Sequence, residues 1–552
     1  MRPDGTLATT PHPALLGSAL THPSITTDFS ESQLELITGV HESADGCLNE
    51  LTRIHQFVYR AIGNEVLWCA SMPCGLPADD AIPIGRYGSS NVGRAKTVYR
   101  TGLAHRYGRR MQTISGIHYN FSLPDAGPPQ VGQAPSGGSA QRFGGVVNPP
   151  DAGPSQVGRA PSGGSAQRFG GVVNPPDAGP PQVGRAPGGG TAQRFGGVPD
   201  HVVSDDTYFA LIRNFRRHSW LLLYLFGASP AVCSTFVAGR VHELQRLSED
   251  TLYLPYATSL RMGKLGYQSD AQSSLAVSYN DLASYAASLQ EALTNPYPPY
   301  EAIGIRNGDD YRQLATSLLQ IENEFYGTIR PKRVIRPAER PLRALRERGV
   351  EYVEARLMDL DPFSPIGITA ATVRMLDVFL LHCLLQDSPP DTPQELAAIV
   401  RNQQRVAARG REPGLRLTRG SQEVLLAEWG EQVLAECAPV ASALDAANET
   451  SAHREALASA VAALNNPATT PSARVLRTMA RDHGNSYTRF VRTQSLAHRD
   501  AILQLPFSAD VAERFARLAE QSLIAQHGIE AADKLPFETY RQLYLAPVRL
   551  NE

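Results

Sequence analysis

Apolar residues recur at helical spacing in the stretch 44–62, where Leu48, Leu51, Ile54, Val58 and Ile62 share one face. The cap signal Ser204-Asp205-Asp206 predicts a second helix reaching about residue 225, and a third follows Asn280 to about 294. Beyond Ile368 the helical period dominates, through 370–387, 394–410, 421–447, 453–465 and 509–527. Earlier stretches alternate with period two and predict strands at 33–37, 112–123, 319–326 and 350–359. A strand-rich first part and a helical C-terminal part make an α+β fold.

The alternation divides each strand into faces. In 112–123, Ile117, Tyr119, Phe121 and Leu123 oppose Gln112, His118, Asn120 and Ser122. In 350–359, Val353, Ala355 and Leu357 form a core face, and Glu354 and Arg356 project together on the other, about 6.5–7 Å apart. In 319–326, Leu319, Ile321 and Phe325 alternate with Gln320, Glu322, Glu324 and Tyr326. In 33–37, Leu34 and Leu36 alternate with Gln33 and Glu35. A solvated antiparallel face is ordinary for any one of these strands. Together they gather carboxylates with His118, Asn120 and one cation, Arg356. Such oxygen-rich groups suit Mg²⁺, with Mn²⁺ tolerated, bridging substrate phosphates.

One segment breaks the globular pattern. Near-identical units begin at Pro124, Pro150 and Pro176, a period of 26 residues rich in Gly, Pro, Ser and Gln. Each offers too little apolar surface to stack as a solenoid, so 124–199 is expected to be a disordered low-complexity insertion. The chain divides accordingly into a strand-rich catalytic part (1–123), the repeats (124–199), a continuation of the catalytic part (200–368) and a helical region (369–552). At the start, Asp4-Gly5 is a turn signal followed by the strand-like Thr6-Leu7-Ala8-Thr9, with only two residues between Met1 and the turn.

Composition narrows the function. Lys+Arg of 52 against Asp+Glu of 54 leaves a formal charge of −2 on 552 residues, which argues against a polycationic nucleic-acid or membrane binder. The six cysteines form no CxxC pair and are expected as reduced thiols in a cytoplasm. The most apolar run, 220–226, is too short for a span, and the N-terminus carries no secretory h-region. Two basic stretches could face phosphates. One is Arg330-Pro331-Lys332-Arg333; the other runs through Arg94, Lys96, Arg100, Arg106, Arg109 and Arg110, for which a solvated surface is the simpler reading. The stretch 88–93 imitates a P-loop, but Arg94 and Ala95 stand where Lys and Ser or Thr are required. Nucleophile-elbow, zinc-protease and dinucleotide motifs are lacking.

With those residues in view, the chain resembles the proteobacterial glutamate–cysteine ligases. The matching text is ITTDFSESQLELIT (25–38), YGSSNVGRAKTVYRTGLAHRYGRRMQTISGIHYNFSLP (87–124), YLFGASPAVCSTF (224–236), LPYATSLRMGKLGY (254–267), QIENEFYGTIRPKR (320–333) and EYVEARLMDLDPFSPIGI (351–368). The resemblance implies ATP-dependent joining of L-cysteine to the γ-carboxylate of L-glutamate through a γ-glutamyl phosphate. It also implies a curved antiparallel sheet of glutamine-synthetase-like type with surrounding helices. Carried over by position, Asp28, Glu35, His118 and Glu354 fall on metal positions. Arg261 and Arg356 fall on the arginines that hold the transferring group, and Asn120 lies beside it. Tyr99, Leu103, Gln112, Tyr267 and Tyr326 fall on the cysteine pocket, and Arg100, Arg330 and Lys332 face the nucleotide phosphates. The family's first strand, carrying Gly-x-Glu-x-Glu before the Asp-Gly turn, has no counterpart here, which implies a chain that starts after it. Other readings are a different carboxylate–amine ligase of the superfamily and a truncated, non-catalytic relic. The expected state is a monomer without nucleic-acid or membrane partners. Glu354→Gln is expected to abolish activity while leaving the fold, since it removes a charge and little volume.

Overall fold

A computed structural model of the chain describes residues 1–123, 145–148, 204–266, 270–273, 275–336 and 339–551. The N-terminal part carries strands β1 (Ile25–Thr27) and β2 (Leu34–Leu36) and helices α1 (Ala44–Ala61), α2 (Asn91–Tyr107) and α3 (Arg109–Gln112). Strands β3 (Ile117–Phe121) and β4 (Gly145–Asn148) follow, then α4 (Asp205–Phe226). Next come β5 (Ala231–Cys233), β6 (Gln245–Arg246), β7 (Thr251–Tyr253), α5 (Asp270–Ser273), α6 (Leu282–Thr294) and α7 (Pro298–Ile303). Strands β8 (Arg306–Asn307), β9 (Asp310–Tyr311) and β10 (Ile329–Lys332), helix α8 (Pro341–Arg348) and β11 (Tyr352–Met358) complete the central part. The remainder is helical apart from the hairpin β12 (Arg416–Arg419) and β13 (Gln422–Leu425). Its helices are α9 (Ala370–Leu385), α10 (Pro393–Arg409), α11 (Leu426–Asn448), α12 (Ala452–Asn465), α13 (Pro471–Asp482), α14 (Tyr487–Gln504), α15 (Ala509–Ala532), α16 (Phe537–Leu545) and α17 (Val548–Asn551).

The main sheet has four antiparallel strands in the order β10-β11-β3-β4. Its apolar face is the one the alternation predicts. Val353, Ala355, Tyr119 and Phe121 have no exposed surface, and α4 packs behind β10 and β11. β1 and β2 form a separate pair. The described residues make several small antiparallel sheets. A cavity of about 170 Å³ lies between β2 and the chain entering β3, with Leu34, Glu35 and Leu36 on one wall and Ser115, Gly116 and Ile117 on another.

Several predicted elements change form. Residues 319–326 are not a strand: Glu322–Glu324 is a single 3-10 turn. The strand predicted over 112–123 shortens to β3, because Gln112 ends α3. Thr6-Leu7-Ala8-Thr9 form no strand, although Asp4-Gly5 does turn, with Gly5 at φ +90° and the Arg2 N–H bonded to the Thr6 carbonyl at 2.8 Å. Within the repeats, Gly145–Asn148 pair with β3; the rest of 124–199, where disorder is expected, lies outside the described residues. The basic stretch around α2 is not a solvated surface either, since Lys96 and Arg100 are buried. In the P-loop imitation, Gly88 lies at φ +84° against Gln526 and Glu530 of α15.

Behind the sheet, the Tyr119 hydroxyl donates to Oδ1 of Asp377 on α9 at 2.6 Å. Burial pushes the Asp377 carboxyl up to about 7, against the opposing pull of the Tyr119 hydrogen bond. The folded chain therefore keeps a proton that the unfolded chain sheds near pH 4, so this group's contribution to stability declines as pH rises from about 4 to about 7. Asp377→Asn is expected to match the wild type near pH 4 and to exceed it by up to about 4 kcal/mol at pH 8. Denaturant titrations at the two pH values check this; an equal difference at both refutes it.

Candidate active site

The register of the main sheet fixes which side chains meet. Arg330 lies opposite Glu354, and Glu354 opposite Asn120, so these share the face carrying Lys332, Arg356 and His118. Glu354 is the hub. Arg356 Nη1 donates to its Oε2 at 3.0 Å, with Lys332 Nζ at 3.8 Å and Arg330 Nη1 at 4.0 Å from the same oxygen. His118 Nδ1 is 3.4 Å from Oε1 of Glu354 and 3.3 Å from Arg356 Nη1. Burial alone would raise the Glu354 carboxyl, but Lys332, Arg356 and His118 hold it well below the usual carboxylate range. Arg330 is also tied through Nη2 to the Asn323 carbonyl at 2.8 Å, which anchors the 322–325 turn to the sheet. Lys332 is the most accessible of these cations, with 21% of its side chain exposed. Asn120 Oδ1 is buried on this face without a hydrogen-bond partner among the described residues.

A second group gathers at the loop between β1 and β2. Asp28 is held there by its N–H bond to the Gln33 carbonyl at 2.9 Å, and Gln33 in turn donates to the Ile114 carbonyl at 3.3 Å. Arg100 donates through Nε to the Asp28 carbonyl and lies 4.6 Å from the centre of the Tyr87 ring. Burial works against the Arg100 charge, but Tyr87 and the carboxylates of Asp28 and Glu35 outweigh it and raise its affinity for the proton. Arg100 is thus placed beside Asp28 and Glu35.

Arg261 links the sheet to the loop after β11. Its Nη2 donates to the Arg356 carbonyl at 2.8 Å, and its Nη1 lies 3.6 Å from Asp359 Oδ1. Asp359 accepts from the Ala228 N–H at 2.8 Å and from Ser259 Oγ at 3.0 Å. The guanidinium is 1% exposed and packs directly over Gly116, where a side chain would not fit. Sequence reasoning missed Asp359; its place next to the Glu354–Arg356 strand was the available signal.

The expected pocket residues lie along α2, α3 and the 320–326 segment. Tyr99 and Leu103 belong to a buried cluster with Phe29, Leu314, Ile321 and Phe537. The Tyr326 hydroxyl donates to Gln112 Oε1 at 3.2 Å, so these two meet even though Gln112 is not on the β3 face as predicted. Tyr267 lies outside the described residues. Glu322 and Glu324 leave the predicted acidic face altogether. Glu322 takes a bidentate pair from Arg340, with Nη2 to Oε2 at 2.6 Å, and Glu324 pairs with Arg106 at 2.9 Å. Both carboxylates are structural, matched by cations that the strand reading did not place beside them.

The four expected metal residues therefore arrive as two groups, Asp28 with Glu35 and His118 with Glu354. Among the described residues no cluster of three or more His, Cys, Asp or Glu is arranged to hold an ion. That is not a complete protein cage. One or two carboxylates per group do fit Mg²⁺, which keeps several waters and takes its other ligands from substrate phosphates.

Comparison with known proteins follows this geometry. A family model described as Glutamate-cysteine ligase matches residues 1–137 and 192–406, and the interval it skips lies inside the repeats. The chain is 44% identical over 545 residues to a glutamate–cysteine ligase of Azotobacter vinelandii, covering 99% of this chain and 92% of that protein. It is 44% identical over 551 residues to one from Pseudomonas aeruginosa PAO1, with 99% and 92% covered. A crystal structure of Francisella tularensis glutamate–cysteine ligase in complex with AMP superposes with a TM-score of 0.81 at 32% identity, covering 99% of this chain and 95% of that one. A bifunctional glutathione synthetase from Pasteurella multocida shares the fold, with a TM-score of 0.62 at 22% identity over 94% of this chain and 55% of that one. The relic reading loses its basis in length, because the relatives are matched over nine-tenths of their own chains.

Proposed function

Because the chain belongs to the glutamate–cysteine ligase family, we propose that it joins L-cysteine to the γ-carboxylate of L-glutamate with ATP as phosphoryl donor, the first step of glutathione biosynthesis. The observation that carries the reading is the set of buried guanidinium groups, Arg261, Arg330 and Arg356, around one polar sheet face. A phosphoryl group in transfer spreads negative charge over its oxygens, and fixed cations in a dry site stabilise that charge without reorganising.

In this reading the glutamate γ-carboxylate lies beside Arg356 and attacks the terminal phosphorus of ATP, releasing ADP. Arg261 holds the Arg356 backbone in place and shares the acyl phosphate's charge. Lys332, the most accessible cation, meets the nucleotide phosphates together with Arg330. The cysteine amine, having lost a proton, then attacks the acyl carbon; the C–N bond forms and inorganic phosphate leaves. Mg²⁺, or Mn²⁺ in its place, would be held by Asp28, Glu35, His118 and Glu354 with phosphate oxygens, and supplies neutralising charge. Asn120 Oδ1 faces the same hollow and accepts a donor from substrate. A continuous curved sheet, monomeric state and cytoplasmic location belong to the same proposal. No disulfide joins the six cysteines, and no helix among the described residues is long and apolar enough to cross a membrane.

The test is ADP release measured with ATP, Mg²⁺ and glutamate, with and without cysteine. Turnover that rises with cysteine supports the assignment. Turnover with ammonia or another amino acid but not with cysteine would point to a different carboxylate–amine ligase, and ATP binding without turnover would end the enzymatic reading.

A further inference from the structure

Tyr107 closes α2 and belongs to none of the roles assigned above. Its ring meets Tyr326 edge-on, with centroids 6.2 Å apart, and Tyr300 at 6.4 Å. Its hydroxyl donates to Glu324 Oε1 at 2.8 Å and accepts from Gln272 Nε2 at 3.2 Å. Gln272 also spans the neighbouring turn. Its Oε1 accepts from the Tyr326 N–H at 3.2 Å, and its Nε2 donates to the Glu324 carbonyl at 2.8 Å. Glu324 has no exposed surface and makes further bonds, from Arg106 Nη1 at 2.9 Å and from the Gln320 N–H at 2.7 Å. Gln320 in turn reaches the Tyr99 carbonyl at 3.3 Å, packed into the notch that Gly102 leaves in α2. One buried network therefore ties together both sides of the pocket, Tyr99 on α2 and Tyr326 on the 320–326 segment.

We propose that Tyr107, held by Glu324 and Gln272, is a positioning residue for the Tyr326–Gln112 wall and thereby sets affinity for the small amino-thiol substrate. This rests on the reading of Tyr326 and Gln112 as the cysteine pocket. Tyr326 has one side-chain hydrogen bond to Gln112, and its backbone is fixed by Gln272. Losing the Tyr107 hydroxyl leaves the Glu324–Arg106 pair intact and removes one of the three bonds on Gln272, which keeps those to the Glu324 carbonyl and the Tyr326 N–H. The segment carrying the Tyr326 ring is then held less firmly against Gln112, while the polar face of β11 is untouched.

Steady-state kinetics on the full chain separate the possibilities. Tyr107→Phe is expected to raise KM for cysteine about tenfold, with KM for glutamate and ATP and saturating kcat within about twofold. Gln272→Leu is expected to act in the same direction, and the double variant to show less than the product of the two effects. Tyr326→Phe is the control on the pocket itself and should also raise KM for cysteine. An unchanged KM for cysteine in Tyr107→Phe, with a raised one in Tyr326→Phe, overturns the positioning role. So does equal weakening for all three substrates, which a merely structural tyrosine would give. An unchanged KM for cysteine in Tyr326→Phe removes the pocket reading and the proposal with it.

Discussion

Glu354→Gln is expected to lower turnover by about 10²–10³-fold and to destabilise the folded chain by about 3–5 kcal/mol. The first effect follows from its position among the cations proposed to meet the transferring phosphoryl group. The second follows from what surrounds it. Glu354 is the counter-charge shared by Arg356, Lys332 and Arg330, and the amide replacing it would leave buried positive charges facing one another. The structure thus corrects the expectation that this exchange spares the fold: little volume changes, but the electrostatic balance of the sheet face does. Thermal melts with and without phosphate discriminate further. An added anion should restore more stability to Glu354→Gln than to the wild type, because it replaces the missing charge. Equal responses would remove Glu354 from its place as hub.

Gly116→Ala is expected to cost about 10²-fold in kcat and to lower the thermal midpoint as well, because the displaced Arg261 is buried. A methyl group there would sit inside the van der Waals shell of the Arg261 guanidinium. Arg261 is the end of a long side chain and gives way more easily than the backbone does. Giving way breaks its bonds to the Arg356 carbonyl and toward Asp359, and shifts the charge off the site. Unchanged turnover in Gly116→Ala would show that Arg261 does not need this position.

What the sequence made legible depended on how each element buries its surface. Helix α1 carries one apolar stripe and was located to within a residue or two, as was α4 with its Ser204 cap. Strand β11 was read in full, including the shared face of Glu354 and Arg356, because one side meets α4 and the other is polar. Helix α2 escaped. Val92, Lys96, Tyr99, Arg100 and Leu103 share one buried face, but two of them are cations, and Asn91, Ala95, Val98 and Gly102 are buried beside them, so hydrophobicity does not mark the face out. The 320–326 segment alternated convincingly, yet its period came from side chains pairing with distant cations. Arg340 and Arg106 lie far along the chain from Glu322 and Glu324, and no local pattern announces them. The roles of the metal and pocket residues came from family resemblance; periodicity placed Glu35, Gln112, His118, Asn120, Tyr326, Glu354 and Arg356 on polar faces, together with Glu322 and Glu324, without assigning roles.

Arg340 bonds Glu322 on one side and, through Nη1, the Tyr544 carbonyl of α16 on the other at 3.1 Å. Arg541 likewise reaches the Leu314 carbonyl at 2.6 Å, and Tyr311 reaches Glu538 at 2.7 Å. Residues 311–322 are thus fastened from outside the main sheet, by one short helix. Loosening α16 would release that stretch while the strand register of the sheet, which α16 does not share, stays in place.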